Sequence, residues 1–154
     1  MPGNNDKQHE VDRQGDGEGQ CSLPTDLCGQ IVAEITADIP GVKVIVLFGS
    51  FANGSFNNDS DIDLAVLASK KLDNLERWKI AQNLAQSLNR DVDLVDLCNV
   101  STVLRMQIVT AGVQIYGSKA DFDLYAATTF TMYQQLQVER KDIVDEFARE
   151  NFHG

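Results

Sequence analysis

The sequence is short of basic residues, and this shortage limits the partners that the chain can bind. It carries 13 Lys and Arg against 23 Asp and Glu, which gives a formal net charge of −10. Non-specific binding to DNA or RNA depends on neutralising phosphates with Lys and Arg. The balance therefore argues against direct nucleic-acid binding and favours a metal–nucleotide substrate or a basic protein partner.

Histidine, cysteine and long apolar runs are also scarce. The two histidines, His9 and His153, lie close to the ends of the sequence, which argues against a histidine-based catalytic triad. Cys21, Cys28 and Cys98 are odd in number and lack CxxC spacing, so we expect reduced, buried or incidental thiols rather than a disulfide or zinc framework. No apolar stretch approaches about 18 residues and no signal sequence is evident. We therefore expect a soluble, cytoplasmic protein without membrane contact.

The hydrophobic content of 43% in 154 residues is enough for one domain with a core of its own. Residues 1–22 are polar and rich in glycine, and they cannot bury enough apolar surface to offset the entropy of ordering. We expect a disordered tail at 1–22, a folded domain at 23–118 and a C-terminal helix at 119–154. Helices are predicted at 26–38 (capped by Thr25), 72–89, 101–112 and 121–153, and strands at 42–48, 61–67, 91–97 and 113–116.

The middle of the chain places two carboxylates next to a strand. The apolar run at 42–48 breaks at Gly49-Ser50, and ten residues later Asp61 and Asp63 run into the next apolar strand. Side chains alternate along a strand, so Asp61 and Asp63 point to the same face, about 6–7 Å apart. Two carboxylates on one face opposite a Gly-Ser turn are unfavourable in a core and suit a functional site.

These residue types fit the chemistry of a magnesium–polyphosphate complex. Mg²⁺ prefers hard oxygen ligands and usually takes one or two carboxylates together with phosphates and water. Gly49 lets the backbone approach a phosphate closely, and Ser50 offers a hydroxyl and an N–H group. A short helix beginning in residues 51–54 would add N–H groups that favour an anion.

A third carboxylate is expected from the segment Asp-Val-Asp-Leu-Val-Asp-Leu at 91–97. If this strand pairs beside the strand of Asp61 and Asp63, alternation places Asp91 and Asp93 on one face and Asp96 on the other. Either Asp91 or Asp93 can then reach the metal face. We expect Asp96 to cap the following turn or helix instead.

The spacing of Gly49-Ser50, ten residues and Asp61-Ile62-Asp63 resembles the G-S-x10-D-x-D signature of the DNA polymerase β-like nucleotidyltransferase superfamily. The short chain and the segment at 91–97 resemble its minimal nucleotidyltransferase (MNT) branch, and the resemblance covers residues 31–116. It implies an α/β (α+β) fold in which a small mixed sheet is flanked by helices, mostly on one side, and followed by a long C-terminal helix.

The resemblance also implies roles for the residues. Asp61 and Asp63 would hold two Mg²⁺ ions, with Asp93 favoured over Asp91 as the third metal ligand and activator of the acceptor. Gly49 and Ser50 would bind the β- and γ-phosphates of ATP. The implied reaction transfers a nucleoside monophosphate, usually AMP, to a hydroxyl group and releases pyrophosphate.

MNT proteins are often antitoxins paired with a HEPN-type ribonuclease toxin, so the resemblance implies AMPylation of a tyrosine of such a toxin. Two alternatives stay open, namely nucleotidyl transfer to a small molecule, as in aminoglycoside-modifying relatives, and a non-catalytic antitoxin that acts by binding. The C-terminal helix has more apolar residues than a small sheet needs to cover it. Its extra apolar surface would dock a partner or a second copy of the chain, or the helix would simply pack across its own sheet.

Three further residues are singled out by the sequence. Many relatives have an Arg soon after the Gly-Ser pair, where this chain has Asn53. Arg105 or a residue of a partner would then balance the triphosphate charge, although an exposed helix cation is the commoner role for such an Arg. Trp78 is expected to pack in the core rather than to stack on a base.

Overall fold

The computed structural model describes residues 23–152. In this range, helices and strands alternate along the chain. The helices are α1 (Thr25–Asp38), α2 (Ser50–Asn53), α3 (Asn74–Leu88), α4 (Thr102–Ala111) and α5 (Lys119–Phe152). The strands are β1 (Val42–Phe48), β2 (Ile62–Ala68), β3 (Val92–Asp96) and β4 (Val113–Gly117). The predicted tail at 1–22 and the residues Cys21, His9 and His153 lie outside the described range.

The four strands form one mixed sheet in the order β3-β2-β1-β4. β1 pairs antiparallel with both β2 and β4, whereas β2 and β3 are parallel. Parallel neighbours need a long crossover connection, and α3 provides it between β2 and β3. The small mixed sheet is therefore confirmed.

Helices cover both faces of the sheet, so the expectation that they lie mostly on one side is wrong. Ile45 and Leu47 pack with α1 and α3 on one face, while Val44 and Val46 pack with α4 and α5 on the other. The reason is visible in β1, where successive residues are apolar and each face of the central strand needs its own cover.

Only the first half of α5 packs closely on the sheet. Tyr125 and Thr129 are buried, whereas Val138, Ile143 and Val144 are 59%, 66% and 63% exposed. A helix of 34 residues is about 50 Å long, which exceeds what a four-stranded sheet can cover. None of the helices within residues 23–152 combines the length and apolar character needed to cross a membrane.

Two local predictions are wrong. Trp78 is 58% exposed, because the buried face of α3 consists of Ile80, Ala81 and Leu84 and Trp78 lies outside that arc. Thr25 is the first residue of α1 rather than its cap, and Pro24 occupies the N-cap position without a capping side-chain hydrogen bond.

Candidate active site

The parallel pairing of β2 and β3 brings two carboxylates side by side. Asp63 is in direct register with Asp93, and Ile62 is in register with Val92. Neighbouring strands lie about 4.8 Å apart. Asp91 precedes β3 and is exposed, and its carbonyl accepts a hydrogen bond from the Ile62 N–H at 2.9 Å. The register therefore places Asp93, not Asp91, directly beside Asp63.

The alternation of side chains defines the face on which these carboxylates lie. Ala65 and Val95, two residues further along β2 and β3, pack in the apolar cluster beneath α4 and α5. Asp63 and Asp93 therefore point to that same face, at the strand ends beyond the cluster. The carboxylates thus lie at the edge of the packed core, where solvent and ligands have access.

Electrostatic coupling links Asp63 to both of its acidic neighbours. Burial raises the pKa of Asp63, and the negative charges of Asp93 and Asp61 raise this pKa further. A half-buried carboxylate beside two others is costly unless a cation compensates, and carboxylate oxygens are the donors that Mg²⁺ prefers. Within residues 23–152, no three acidic, His or Cys side chains already converge as a complete metal-binding cluster. The chemistry of these carboxylates would suit a divalent cation that takes its further ligands from phosphate and water.

Gly49, the residue directly after β1, lies next to the Asp63 carboxylate. Its backbone has φ 71° and ψ −151°, a region that is essentially restricted to glycine. A Cβ atom at this position would overlap the carboxylate of Asp63. Ser50 follows as the first residue of α2, and the Gly49 carbonyl accepts hydrogen bonds from the N–H groups of Ala52 and Asn53 at 3.1 and 3.3 Å. The Gly-Ser turn therefore lies directly against the Asp63 carboxylate, and the short helix considered for residues 51–54 begins one residue earlier, at Ser50–Asn53.

Asn53, at the position where relatives often carry Arg, closes a local turn. Its Oδ1 accepts hydrogen bonds from the backbone N–H of Ser55 at 2.9 Å and from the Ser55 hydroxyl at 2.6 Å. The side chain is therefore used to shape the loop after α2.

Arg105 is far from the carboxylates. Its guanidinium lies over the ring of Tyr125, 4.2 Å from the centroid, and its Nε donates to the Thr129 hydroxyl at 3.2 Å. It lines a small pocket with Leu67, which is four residues or about 13 Å along β2 from Asp63. The hypothesis that Arg105 balances a triphosphate at the Asp63 end is therefore not supported, and the residue instead joins α4 to α5.

Asp96 has the capping role predicted for it. Its Oδ1 accepts a hydrogen bond from the Cys98 N–H at 2.9 Å, in the turn after β3. Its Oδ2 accepts another from the Leu72 N–H at 2.8 Å, which connects the loop before α3 to the end of β3. The buried carboxylate of Asp96 thus fixes two loops and takes no part in the site around Asp63.

Two features next to the site were not predicted. A cavity of about 600 Å³ opens beside Asp61 and Asp91, with polar groups of α3 on its far wall. Arg90 lines this cavity and contacts the loop that precedes Asp61. Its position between the predicted helix at 72–89 and the predicted strand at 91–97 gave no indication of these contacts, because they join residues about 30 positions apart in the sequence.

Comparison with known proteins assigns the family. The family described as polymerase beta, nucleotidyltransferase matches residues 30–121, a span that includes Gly49, Ser50, Asp61, Asp63 and Asp93. The chain belongs to this nucleotidyltransferase family. Both the resemblance inferred from the G-S-x10-D-x-D signature and the fold class that it implied are confirmed, apart from the helices, which cover both faces of the sheet.

Similar proteins come from toxin–antitoxin systems. The chain is 49% identical over 117 residues to "Protein adenylyltransferase MntA" of Shewanella oneidensis, covering 76% of this chain and 84% of the relative. A crystal structure of a toxin–antitoxin with AMP-PNP matches with a TM-score of 0.74 and 48% identity, over 78% of this chain and 97% of that one. A structure of a tri-AMPylated Shewanella oneidensis HEPN toxin in complex with MNT antitoxin matches with a TM-score of 0.68 and 45% identity, over 79% and 95%.

Proposed function

We propose that this nucleotidyltransferase is a cytoplasmic antitoxin that transfers AMP from ATP to a tyrosine hydroxyl of a HEPN-type toxin. The observation that carries the proposal is the contact of Gly49 with Asp63, which in turn lies in register with Asp93. This arrangement combines a turn suited to phosphate with carboxylates suited to a metal. The relatives support the nucleotide and the acceptor, because one is named a protein adenylyltransferase and others are complexes with AMP-PNP or with an AMPylated toxin.

The proposed division of roles is the one that the family resemblance implies, and the register of Asp63 with Asp93 supports it. Asp61, Asp63 and Asp93 would hold two Mg²⁺ ions, which stabilise the charge that builds up on the α-phosphate and on the pyrophosphate. Gly49 and Ser50 would bind the β- and γ-phosphates through the backbone of the turn and the serine hydroxyl. Asp93 is exposed beside Asp63, so it can accept the proton of the acceptor hydroxyl.

The proposed transfer balances as an in-line substitution at the α-phosphorus. The acceptor oxygen forms a bond to this phosphorus, and the bond from the phosphorus to the oxygen that bridges to the β-phosphate breaks. The electron pair of the broken bond leaves with pyrophosphate, and the proton of the acceptor hydroxyl moves to the Asp93 carboxylate. The product is an AMP ester of the tyrosine.

The direct test is intact mass spectrometry of the HEPN-type toxin after incubation with this protein, ATP and Mg²⁺. We expect the mass to increase by one or more AMP units with the wild-type protein and with Asp38→Asn, which removes an exposed carboxylate at the end of α1, remote from the site. The Asp61→Asn/Asp63→Asn double variant should give no increase.

Two other outcomes would contradict the proposal. Toxin activity that is blocked without any mass change, equally by wild type and the double variant, would indicate inhibition by binding alone. Nucleotidyl transfer to an aminoglycoside or another small molecule with no transfer to the toxin would indicate the small-molecule alternative.

A further inference from the structure

Arg90 contacts the loop between α2 and β2 through several backbone groups at once. Its Nη1 donates hydrogen bonds to the carbonyl oxygens of Asn57, Asn58 and Ser60, at 3.2, 3.2 and 2.9 Å. A guanidinium is a permanent cation, and hydrogen bonds from a charged donor are stronger than neutral ones. Within the loop, the Asn57 Oδ1 accepts from the Asp59 N–H and the Ser60 hydroxyl accepts from the Asn57 N–H, both at 2.8 Å. The Arg90 guanidinium adds the connection from this loop to the turn between α3 and β3.

The same guanidinium also stacks on an aromatic ring of α2, the helix that precedes the loop. It lies over the ring of Phe51, 5.1 Å from the centroid, and Phe51 stacks on Phe56 with centroids 4.7 Å apart and planes at 11°. Phe51 is buried in α2, directly after Ser50, and Phe56 belongs to the loop. Arg90 thereby connects the helix of the Gly-Ser turn to both ends of the loop that follows it.

These contacts lie on both sides of Asp61 in the sequence. Ser60, whose carbonyl binds Arg90, precedes Asp61, while Ile62, which follows it, donates to the carbonyl of Asp91 next to Arg90. Asp61 itself is exposed and lies before the first residue of β2, and its negative charge contributes to raising the pKa of Asp63. Repulsion between these carboxylates favours a displaced Asp61 unless the preceding loop is anchored.

We propose that Arg90 is a positioning residue that fixes the 57–60 loop and thereby holds Asp61 beside Asp63 for metal binding. This inference rests on the proposed function, since it assigns Arg90 a role in the same site. Arg90 acts through the loop, because its Nη1 donates to loop carbonyls and its guanidinium face lies over Phe51. Residues that orient metal ligands in this way typically change metal affinity about 10- to 100-fold when they are replaced.

The test compares Arg90→Met, Arg90→Lys and a matched control, Arg77→Met. Arg77 is also half-buried and donates from Nη1 to a backbone carbonyl, that of Leu94 at 2.8 Å, but it does not touch the loop. Three measurements apply to each protein: hydrogen exchange of the amides in residues 55–61, binding of Mn²⁺ followed by electron paramagnetic resonance, and the Mg²⁺ concentration that gives half-maximal AMP transfer to the toxin.

We expect Arg90→Met to increase loop exchange, to weaken Mn²⁺ binding and to raise the Mg²⁺ midpoint by about tenfold or more, with partial recovery of the rate at high Mg²⁺. Arg90→Lys should recover part of these losses, because an ammonium keeps three donors but cannot stack as a plane on Phe51. Arg77→Met should stay within about twofold of wild type in the exchange of residues 55–61, because its hydrogen bond goes to the Leu94 carbonyl of β3 and not to the loop.

The inference is overturned if Arg90→Met and Arg77→Met show equal loop exchange, or if Arg90→Met transfers AMP with an unchanged Mg²⁺ midpoint. Failure of the proposed function gives a different result, namely a wild-type protein that binds Mn²⁺ weakly and transfers no AMP. In that case the exchange of residues 55–61 alone decides whether Arg90 holds the loop, and unchanged exchange overturns the inference.

Discussion

The substitution Gly49→Ala tests the contact between the Gly-Ser turn and the carboxylates. It adds one methyl group at a residue with φ 71° and ψ −151°, a conformation that costs a residue other than glycine about 1–3 kcal/mol. The added Cβ would also overlap the Asp63 carboxylate, which must move aside. The expected consequence is therefore a loss of stability together with a displacement of the proposed metal ligand.

Gly54→Ala separates these two effects. Gly54 also has a positive φ, 80°, so alanine is strained there by about 1–2 kcal/mol, but a Cβ at this residue meets no atom within 4 Å. A misplacement of about 1 Å in a catalytic arrangement can cost roughly 100-fold in rate. We therefore expect Gly49→Ala to reduce AMP transfer about 100-fold and Gly54→Ala to reduce it no more than a few-fold.

The assay combines urea unfolding, which measures the free energy lost by each variant, with the rate of AMP transfer to the toxin at a temperature where both variants are folded. The comparison of rates then reports the displacement of Asp63 and not the fraction of folded protein. Equal transfer rates for the two variants would refute the argument that Gly49 is required to make room for the Asp63 carboxylate.

Two further predictions concern stability and its dependence on pH. The raised pKa of Asp63 means that its contribution to stability is complete below the ordinary value of 3.8 and is lost as the pH rises through the raised value. Asp63→Asn should therefore stabilise the Mg²⁺-free protein at pH 7 by about 0.5 kcal/mol, because it removes the repulsion between the carboxylates of Asp63 and Asp93. Urea unfolding measures this free energy, and a destabilised variant would contradict the prediction. The Tyr125 hydroxyl donates to the Leu97 carbonyl at 2.7 Å, so Tyr125→Phe should lower the free energy of unfolding by about 1–2 kcal/mol and leave AMP transfer unchanged. Burial raises the pKa of Tyr125 to about 12, so the wild type should lose stability between pH 10 and 12. Tyr125→Phe has no hydroxyl to ionise, and an equal loss of stability in this variant over the same pH range would contradict the prediction.

Features that depend on neighbouring residues in the chain could be predicted from the sequence. The strands on either side of Gly49-Ser50 follow from short apolar runs. The shared face of Asp61 and Asp63 stays a prediction, because β2 begins at Ile62 and alternation along the strand does not extend to Asp61. The family was also recognisable at this level, because its signature lies within fifteen consecutive residues, 49–63. The catalytic and metal-binding roles of these residues stay predictions until the variants are measured.

Features that depend on long-range packing could not be predicted in this way. Trp78 has an apolar side chain in a helix with an apolar stripe, yet the position of the sheet decides which arc of α3 is covered. Arg105 was a candidate phosphate ligand because of its charge, and the packing of α4 on α5 directs it to Tyr125 instead. The same reason explains why the contacts of Arg90 were missed.

The sequence by itself determined the family, the strands around the Gly-Ser turn and the candidates Asp61 and Asp63, because each of these is encoded in residues close together in the chain. The tertiary structure confirmed that Asp93, which the family resemblance favoured, lies beside Asp63. It alone decided that helices cover both faces of the sheet and that Arg90 contacts the 57–60 loop. A shift of one residue in the register of β3 would turn Asp93 to the opposite face, and the pattern within β3 does not specify its partner on β2. That choice is made only when β2, α3 and β3 pack together.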